Sequence, residues 1–253
     1  MILEARGLAI GYRDRVVGRG LDVTLAEGEV LALLGPNGGG KTTLLKTLLG
    51  LIPPLNGAMC LAGRPLDRLS VRTRARLVAY VPQVHAGAFA FTVEDVVLMG
   101  RSAHGDLLSR PSSRDRQVAA QAIERLDIAH LAHRPYTMIS GGERQLALIA
   151  RALAQEPRIV VLDEPTASLD FGNQGKVMRE IRALAEAGLG VIFSTHDPNH
   201  ALRFADRAML IRDGGCMASG PATEVLTRER LQDLYGTRVM TVADADSRAF
   251  LPA

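Results

Sequence analysis

The fold of this 253-residue chain is decided by the stretch Gly35-Pro36-Asn37-Gly38-Gly39-Gly40-Lys41-Thr42-Thr43. The stretch has the form G-x-x-x-x-G-K-[ST], follows an apolar run at Val30–Leu34 and opens a helical pattern, which is the context of a phosphate-binding loop. Its glycines let backbone N–H groups turn inward around an anion at the positive end of a helix. We therefore expect Lys41 to contact the β- and γ-phosphates of a nucleotide and Thr42 to ligate Mg²⁺.

Around this loop, short apolar runs alternate with helical patterns, which predicts an α/β fold with a mainly parallel central sheet. The apolar runs Val30–Leu34, Ile159–Leu162 and Gly190–Thr195 are typical of buried strands. Segments 2–6 and 21–25 have the pattern of antiparallel strands, and we expect them to flank the nucleotide site.

The middle of the chain differs, because helical patterns dominate from about residue 92 to residue 154. We predict helices over residues 42–51, 93–101, 113–126, 142–155 and 170–187. We also predict a single domain over residues 1–253, in which a helical subdomain of about 84–155 is inserted into a core made of 1–83 and 156–253.

Two acidic residues stand at the end of an apolar strand. Asp163 and Glu164 follow Ile159–Leu162, and ligands of open α/β sheets bind at the carboxyl ends of strands. We expect Asp163 to hold Mg²⁺ and Glu164 to act as general base toward the attacking water. His196 ends the next apolar strand, so we expect it to contact the γ-phosphate and orient that water.

A second anion-binding pattern begins at Ser140, which is followed by Gly141, Gly142 and Glu143. Ser140 and Glu143 have the spacing of a capping box, and that structural role would by itself explain both residues. Two glycines at a helix start also expose backbone N–H groups at the positive end of the helix dipole. The hypothesis that accounts for both anion-binding patterns is that this second site closes over a nucleotide bound by another copy of the chain.

Composition limits the classes of function. The formal net charge of +3 is small and the arginines are spread along the chain, so we expect no nucleic-acid partner. No apolar stretch reaches the roughly 18 residues of a membrane span, so a membrane role would require a spanning partner. Cys60 and Cys216 are far apart and lack metal-ligand spacing, and we expect both to be inert core thiols.

In their order along the chain, these motifs resemble those of the ATP-binding subunits of ABC transporters. Residues 35–43 resemble the Walker A loop, 140–145 the signature motif and 159–164 the Walker B strand. The resemblance also implies single-residue roles: Tyr12 would stack on adenine, Gln83 would contact Mg²⁺ and face a permease, Ser168 and Asp170 would form the D-loop of a dimer, and His196 would be the switch histidine.

A narrower resemblance, carried by segments 91–101, 169–174 and 194–198, is to importers of chelated metals. It implies an ATPase that powers uptake of iron–siderophore, haem, cobalamin, or molybdate or tungstate. The implied cofactors are ATP and Mg²⁺. The implied partners are a second copy of the chain, two integral-membrane permease subunits and, indirectly, a substrate-binding protein, at the cytoplasmic face of the membrane.

The alternative from another class is a non-transport ABC ATPase. A chromosome-maintenance type would need a long coiled coil between Lys41 and Ser140, and a ribosome-associated type would carry two cassettes, whereas the sequence shows neither. A single-cassette iron–sulfur cluster assembly ATPase fits the length, although segment 91–101 favours a permease partner.

Overall fold

The computed structural model describes residues 1–83, 91–105, 110–167, 169–243 and 248–253. The strands in those ranges are β1 (Leu3–Tyr12), β2 (Arg15–Leu25), β3 (Val30–Leu34), β4 (Asn56–Leu61), β5 (Arg64–Pro65), β6 (Val78–Val81), β7 (Ile159–Leu162), β8 (Gly190–Thr195), β9 (Arg207–Arg212), β10 (Gly215–Pro221), β11 (Val239–Ala243) and β12 (Arg248–Pro252). The α-helices are α1 (Lys41–Leu48), α2 (Val71–Leu77), α3 (Val93–Leu98), α4 (Ser113–Arg125), α5 (Gly141–Ala154), α6 (Phe171–Glu186), α7 (Pro198–Phe204), α8 (Ala222–Val225) and α9 (Arg228–Tyr235).

A six-stranded sheet in the order β10-β9-β3-β8-β7-β6 forms the centre of the molecule. Its strands run parallel from β9 to β6, and β10 pairs antiparallel with β9 at one edge. Strands β3, β7 and β8 are buried along their whole length, as expected for strands covered on both faces. The expected α/β fold with a mainly parallel central sheet is therefore confirmed.

A second sheet, in the order β2-β1-β4-β5, is antiparallel. The segments 2–6 and 21–25 contribute to it, but β1 and β2 are longer than the sequence pattern predicts. They form one hairpin in which Tyr12 pairs with Arg15, so Tyr12 stands at the tip of this sheet.

Successive side chains of a strand point to opposite sides of a sheet, so each strand of the central sheet contributes to a core on either face. In β3, Leu31 and Leu33 pack with the antiparallel sheet and α1, whereas Val30, Ala32 and Leu34 pack with helices on the other side. That second core also contains the buried residues of α3, α4 and α5. The helices between residues 93 and 154 therefore share a core with one face of the sheet.

A buried arginine ties these helices together. Arg101 lies in the 3₁₀ turn Met99–Ala103, and its guanidinium donates hydrogen bonds to Asp115 Oδ1 at 2.9 Å, Glu156 Oε2 at 2.6 Å and the Ala154 carbonyl at 2.7 Å. The turn after α3 is thereby bound to the start of α4 and the end of α5. Because the cation is buried among two carboxylates and a carbonyl, its charge is compensated.

Two helices differ from the sequence prediction by more than one residue at an end. Helix α1 ends at Leu48 rather than at residue 51, because Gly50 adopts a φ of 67° and the Leu51 amide donates back to a carbonyl of the last turn at 2.9 Å. The helix predicted over 93–101 is α-helical only to Leu98 and continues as the 3₁₀ turn Met99–Ala103.

Close backbone contacts hold the phosphate loop against β9 and hold the turn after β9 against β2. A Cβ atom at Gly35 would lie 2.1 Å from the Ile211 carbonyl oxygen, so only glycine fits there. The turn after β9 is held in the same way, because a Cβ atom at Gly214 would lie 1.7 Å from the Val17 carbonyl oxygen. The Arg19 amide donates to the Gly214 carbonyl at 3.2 Å, which joins this turn to β2.

The expectation of two core thiols is wrong. Cys216 is exposed on β10, and Cys60 is only partly buried on β4. The physical reason for Cys216 is that β10 is an edge strand whose residues are largely exposed.

Candidate nucleotide site

The phosphate loop, residues 35–43, joins β3 to α1. Gly40 precedes the helix with a φ of 101° and Gly38 has a φ of 79°, both in the left-handed region that glycine tolerates. The Gly39 amide donates to the Pro36 carbonyl at 3.2 Å, and the Leu44 amide begins the helical ladder by donating to the Gly40 carbonyl. The expected strand–loop–helix arrangement at this sequence is present.

Lys41 folds back over this loop. Its ammonium donates to the Gly35 carbonyl at 2.7 Å and the Pro36 carbonyl at 3.1 Å, and only 5% of its side chain is exposed. Burial lowers the pKa of Lys41, while the carboxylates of Glu164 and Asp163 oppose that shift. A buried cation at a helix N-terminus with two acidic neighbours is suited to bind a phosphate together with a metal ion.

Asp163 is anchored by the neighbouring strand. Its Oδ1 accepts a hydrogen bond of 2.7 Å from the Ser194 hydroxyl, and its backbone amide donates to the Val81 carbonyl at 2.9 Å. The Tyr80 hydroxyl makes a longer contact of 3.4 Å with Oδ2. Burial and the Asp163 charge raise the pKa of Tyr80 to about 12, so this phenol stays a neutral donor.

Glu164 lies between two basic side chains. Its Oε1 is 3.8 Å from Lys41 Nζ and its Oε2 is 3.8 Å from His196 Nδ1. Both distances exceed hydrogen-bond length, so the carboxylate lies close to both side chains without being hydrogen-bonded to either. Glu164 also has a φ of 46°, in the left-handed region that costs a non-glycine residue about 1–2 kcal/mol. Such strain is typical of functional sites.

The Ser140 site begins α5. The Ser140 hydroxyl accepts from the Glu143 amide at 3.3 Å, and the Ser140 amide donates to Glu143 Oε2 at 2.7 Å, which completes the capping box. The hydrogen bond from the Ser140 amide, and then the Ser140 hydroxyl beside the carboxylate, lower the pKa of Glu143. The local explanation for the two residues is therefore confirmed, and it leaves the anion-binding explanation open.

Gly142 packs against the start of α6. A Cβ atom at Gly142 would lie 2.5 Å from Asn173 Cγ. The Asn173 side chain is held in turn by Asp170, which caps α6 and accepts from Asn173 Nδ2 at 2.7 Å and the Asn173 amide at 2.9 Å. The two segments expected to face a partner copy, 140–143 and 168–170, are thus joined through Asn173, with Ser168 outside the described residues.

The contacts bring together some of the expected residues and not others. Lys41, Asp163, Glu164 and His196 form one cluster, whereas the contacts of Ser140 and Gly142 run to Glu143 and Asn173. Two further expected residues are accessible: Gln83 is exposed after β6, and Tyr12 is 51% exposed at its hairpin tip. Tyr12 is therefore not part of the core.

Sequence reasoning missed Ser194 and Tyr80, which both contact Asp163. The signal was present in the parallel strand pairing, because Leu162 pairs with Phe193 and the next residues, Asp163 and Ser194, are consequently neighbours. A third residue that was missed is Tyr235, whose hydroxyl donates to the His196 carbonyl at 2.9 Å. It lies 39 positions away, and no sequence motif points to it.

The residues expected to hold Mg²⁺ fit that ion. Hydroxyl, carboxylate and amide oxygens are the hard ligands that magnesium prefers, and Thr42, Asp163 and Gln83 offer these groups. Asp163 is buried, and Ser194 engages only one of its oxygens with a short bond, so the other has room for a further contact.

Comparison with known proteins agrees with this geometry. The ABC transporter family profile matches residues 19–167, a range that includes the phosphate loop, the Ser140 site and the acidic strand end. The chain belongs to the ABC transporter family. It is an ATP-binding subunit of that family, and it is an ATPase.

Similar ATP-binding subunits cover almost the whole chain. A hemin import ATP-binding protein of Gloeobacter violaceus is 41% identical over 248 residues, 95% of this chain and 90% of the relative. A molybdate import ATP-binding protein of Haemophilus influenzae is 40% identical over 216 residues, 85% of this chain and 80% of the relative. A solved metal-chelate type ABC transporter in an inward-facing conformation is 36% identical with a TM-score of 0.88, covering 100% of this chain and 97% of that one.

Proposed function

We propose that this ATPase powers an importer of a chelated metal, with haem, iron–siderophore, cobalamin, and molybdate or tungstate as the candidate cargoes. Relatives named for hemin and molybdate import, and a metal-chelate transporter of similar structure, support this cargo class. The observation that carries the ATPase mechanism is the position of Glu164 between Lys41 and His196.

Glu164 rather than Asp163 is suited to be the general base. The Asp163 carboxylate accepts a short bond from Ser194, which fixes it for metal binding. The Glu164 carboxylate is 17% exposed and its ion-pair contacts are 3.8 Å long, so its lone pairs can accept a proton from water. His196 beside it would orient that water against the γ-phosphate.

The other expected residues complete the reaction. The loop amides, Lys41 and Thr43 would bind the phosphates of ATP, while Tyr12 would stack on its adenine. Thr42, Asp163 and Gln83 would hold Mg²⁺, which when bound offsets the charge of the β- and γ-phosphates. Preorganised positive charge around a charged transition state is a principal source of catalysis.

The reaction would require a second copy of the chain. Residues 140–143 present a helix N-terminus that is not part of the Lys41 cluster, and the positive end of a helix favours an anion such as a phosphate of a nucleotide held by a neighbour. Ser168 and Asp170 would lie at the same interface.

We treat residues 1–253 as one domain, with 84–155 as its helical subdomain and 1–83 and 156–253 as its core.

The membrane partner would be a permease. Within the described residues, no helix combines the length and the apolar character needed to cross a membrane.

A cavity of 330 Å³ lies beside β6, between α2, the end of α1 and the turn after α3. The apolar side chains of Leu51, Val71 and Met99 at this cavity are exposed. Exposed apolar surface around a groove is typical of a protein interaction site. We infer that one permease subunit docks here on each of the two copies, at the cytoplasmic face, with Gln83 three residues after Tyr80 of the cavity wall. The two permease subunits would receive cargo from a substrate-binding protein.

The variant Glu164→Gln tests the ATPase mechanism. It should bind ATP with parental affinity, form an ATP-dependent dimer in size-exclusion chromatography, and turn over at least about 10²-fold more slowly, because the amide cannot accept the proton. Glu124→Gln, an exposed change on α4, is the matched control and should keep parental turnover. Parental turnover in Glu164→Gln would show that another group is the base.

A further inference from the structure

The segment that carries His196 is fixed through its backbone. On the strand side, the Thr195 hydroxyl accepts from the Asp197 amide at 3.0 Å. On the helix side, Asp197 caps α7 by accepting from the Asn199 amide at 2.8 Å. The His196 side chain itself is 63% exposed. The direction of the imidazole therefore depends on how the backbone between Thr195 and Pro198 is held.

Tyr235 holds the carbonyl of His196. Its hydroxyl donates a hydrogen bond of 2.9 Å to that oxygen. Along the chain, this oxygen lies between the Thr195 contact and the Asp197 cap described above. Tyr235 is the last residue of α9, where Leu231 and Leu234 are buried in the core and Gly236 closes the helix with a φ of 65°. The phenol thus extends from a firmly packed helix end.

The phenol remains a donor over the working pH range. Burial raises the pKa of Tyr235, and the negative charges of Asp197 and Glu164 raise it further. The hydrogen bond from the Tyr235 hydroxyl to the His196 carbonyl places this phenol beside the segment that carries the imidazole.

The C-terminal hairpin, formed by strands β11 and β12, is hydrogen-bonded to both α7 and α9. Asn199 of α7 donates to the Phe250 carbonyl at 3.0 Å and accepts from the Phe250 amide at 2.8 Å. On α9, Gln232 Oε1 accepts from the Val239 amide at 3.2 Å. Helices α7 and α9 are therefore both bonded to this hairpin, and the bond from Tyr235 to His196 is the contact that reaches the nucleotide site.

We propose that Tyr235 is a positioning residue for ATP hydrolysis, whose hydroxyl fixes the His196 backbone and so keeps the imidazole beside Glu164. The inference rests on the proposed role of His196. It adds a residue outside all the motifs of the chain, and it gives the C-terminal segment a part in the chemical step.

The test uses Tyr235→Phe, which keeps the ring and removes only the donor. We expect kcat for ATP to fall about three- to tenfold with KM unchanged, because the loss of one hydrogen bond acts on the hydrolytic step and not on binding. Amide hydrogen exchange in residues 195–199 should become faster. The matched control is Tyr136→Phe, which removes a phenol hydroxyl from a buried tyrosine between α4 and α5 without touching His196, and should keep the parental kcat.

Two further variants separate the possible results. In a His196→Ala background, Tyr235→Phe should cause no additional fall in kcat, since coupled residues are non-additive. If Tyr235→Phe lowers kcat equally in the parental and His196→Ala backgrounds, this inference alone is overturned. It is also overturned alone if His196→Ala is impaired while Tyr235→Phe keeps the parental kcat and the parental amide exchange. Parental kcat in His196→Ala overturns the proposed role of His196 and with it the inference.

Discussion

The Ser194 hydroxyl donates a hydrogen bond of 2.7 Å to Asp163, the residue expected to hold magnesium. The same oxygen accepts a bond of 2.9 Å from the Glu164 amide. Ser194 is fully buried at the end of β8, directly beside the end of β7. One hydroxyl therefore positions both acidic residues of the site, and the separate roles proposed for them would depend on it.

Replacing Ser194 by alanine should impair both roles. The buried Asp163 carboxylate and the Glu164 amide would each lose a partner, so we expect a loss of about 1–3 kcal/mol in the free energy of unfolding. We also expect kcat to fall about tenfold and the magnesium requirement to rise, as measured by ATPase assays over a Mg²⁺ titration. Thr47→Val, which removes a buried hydroxyl bond on α1, is the control and should lose stability only. Unchanged magnesium dependence in Ser194→Ala would contradict this role.

The variant Gly142→Ala should separate ATP binding from hydrolysis. Its Cβ atom would lie 2.5 Å from Asn173 Cγ, so the start of α5 or the Asn173 side chain must move. Because Lys41 belongs to a different cluster, we expect ATP binding by the single chain to persist, measured by fluorescent nucleotide titration. Steady-state ATPase activity should fall by at least about tenfold, as one misplaced group at a reacting centre can cost 10²-fold.

Gly175→Ala provides the comparison for that variant. Gly175 lies inside α6, where a Cβ atom would meet only the end of the Arg179 side chain, at 3.3 Å. Alanine in a helix interior is favoured over glycine by about 1 kcal/mol, so this variant should be at least as stable as the parent and equally active. Equal activity in Gly142→Ala and Gly175→Ala would remove the signature segment from the mechanism.

Acid stability should depend on Asp115. Hydrogen bonds from Ser112 and from Arg101 lower the pKa of Asp115 from its ordinary value of 3.8 to about 2. The unfolded chain therefore binds this proton more readily, and the stabilisation is present above the ordinary pKa and lost as the pH falls toward 2. In urea unfolding measured between about pH 5 and pH 2, Asp115→Asn should be less stable at pH 5 and less sensitive to pH than the parent. Asp233→Asn, exposed on α9, should retain the parental slope.

The strands that carry chemistry could be predicted because they are continuous apolar runs. Val30–Leu34, Ile159–Leu162 and Gly190–Thr195 have the bounds that the sequence indicated. Val78–Val81 was missed because it directly follows α2, so no turn residue in the sequence separates the strand from the helix. The hairpin Arg207–Arg212 with its partner strand was also missed, since the exposed edge strand is rich in small residues and is held by tertiary contacts at Gly214.

The site was predictable where its residues are local in the chain. Lys41 and Glu164 each belong to a sequence motif, and the distance of 3.8 Å between their charged groups shows that the two motifs lie together in the fold. Ser194 could be derived only once the register of β7 and β8 was known, and Tyr235 only from the packing of α9. Hydrogen bonds between residues far apart in the chain leave no short-range pattern, which explains why the sequence pointed to Lys41 and Glu164 but not to Ser194 or Tyr235.

The central claim is that one ATP is bound by the phosphate loop of one copy and by the Ser140 site of another. The direct measurement is thiol crosslinking of Asn37→Cys with Ser140→Cys, in a chain that also carries Glu164→Gln, Cys60→Ala and Cys216→Ala. We predict an ATP-dependent covalent product of twice the chain mass, and none for the control pair Asn37→Cys with Ser113→Cys, which places the second thiol at the start of α4. A crosslink that forms only within one chain, or none that depends on ATP, would contradict the shared site.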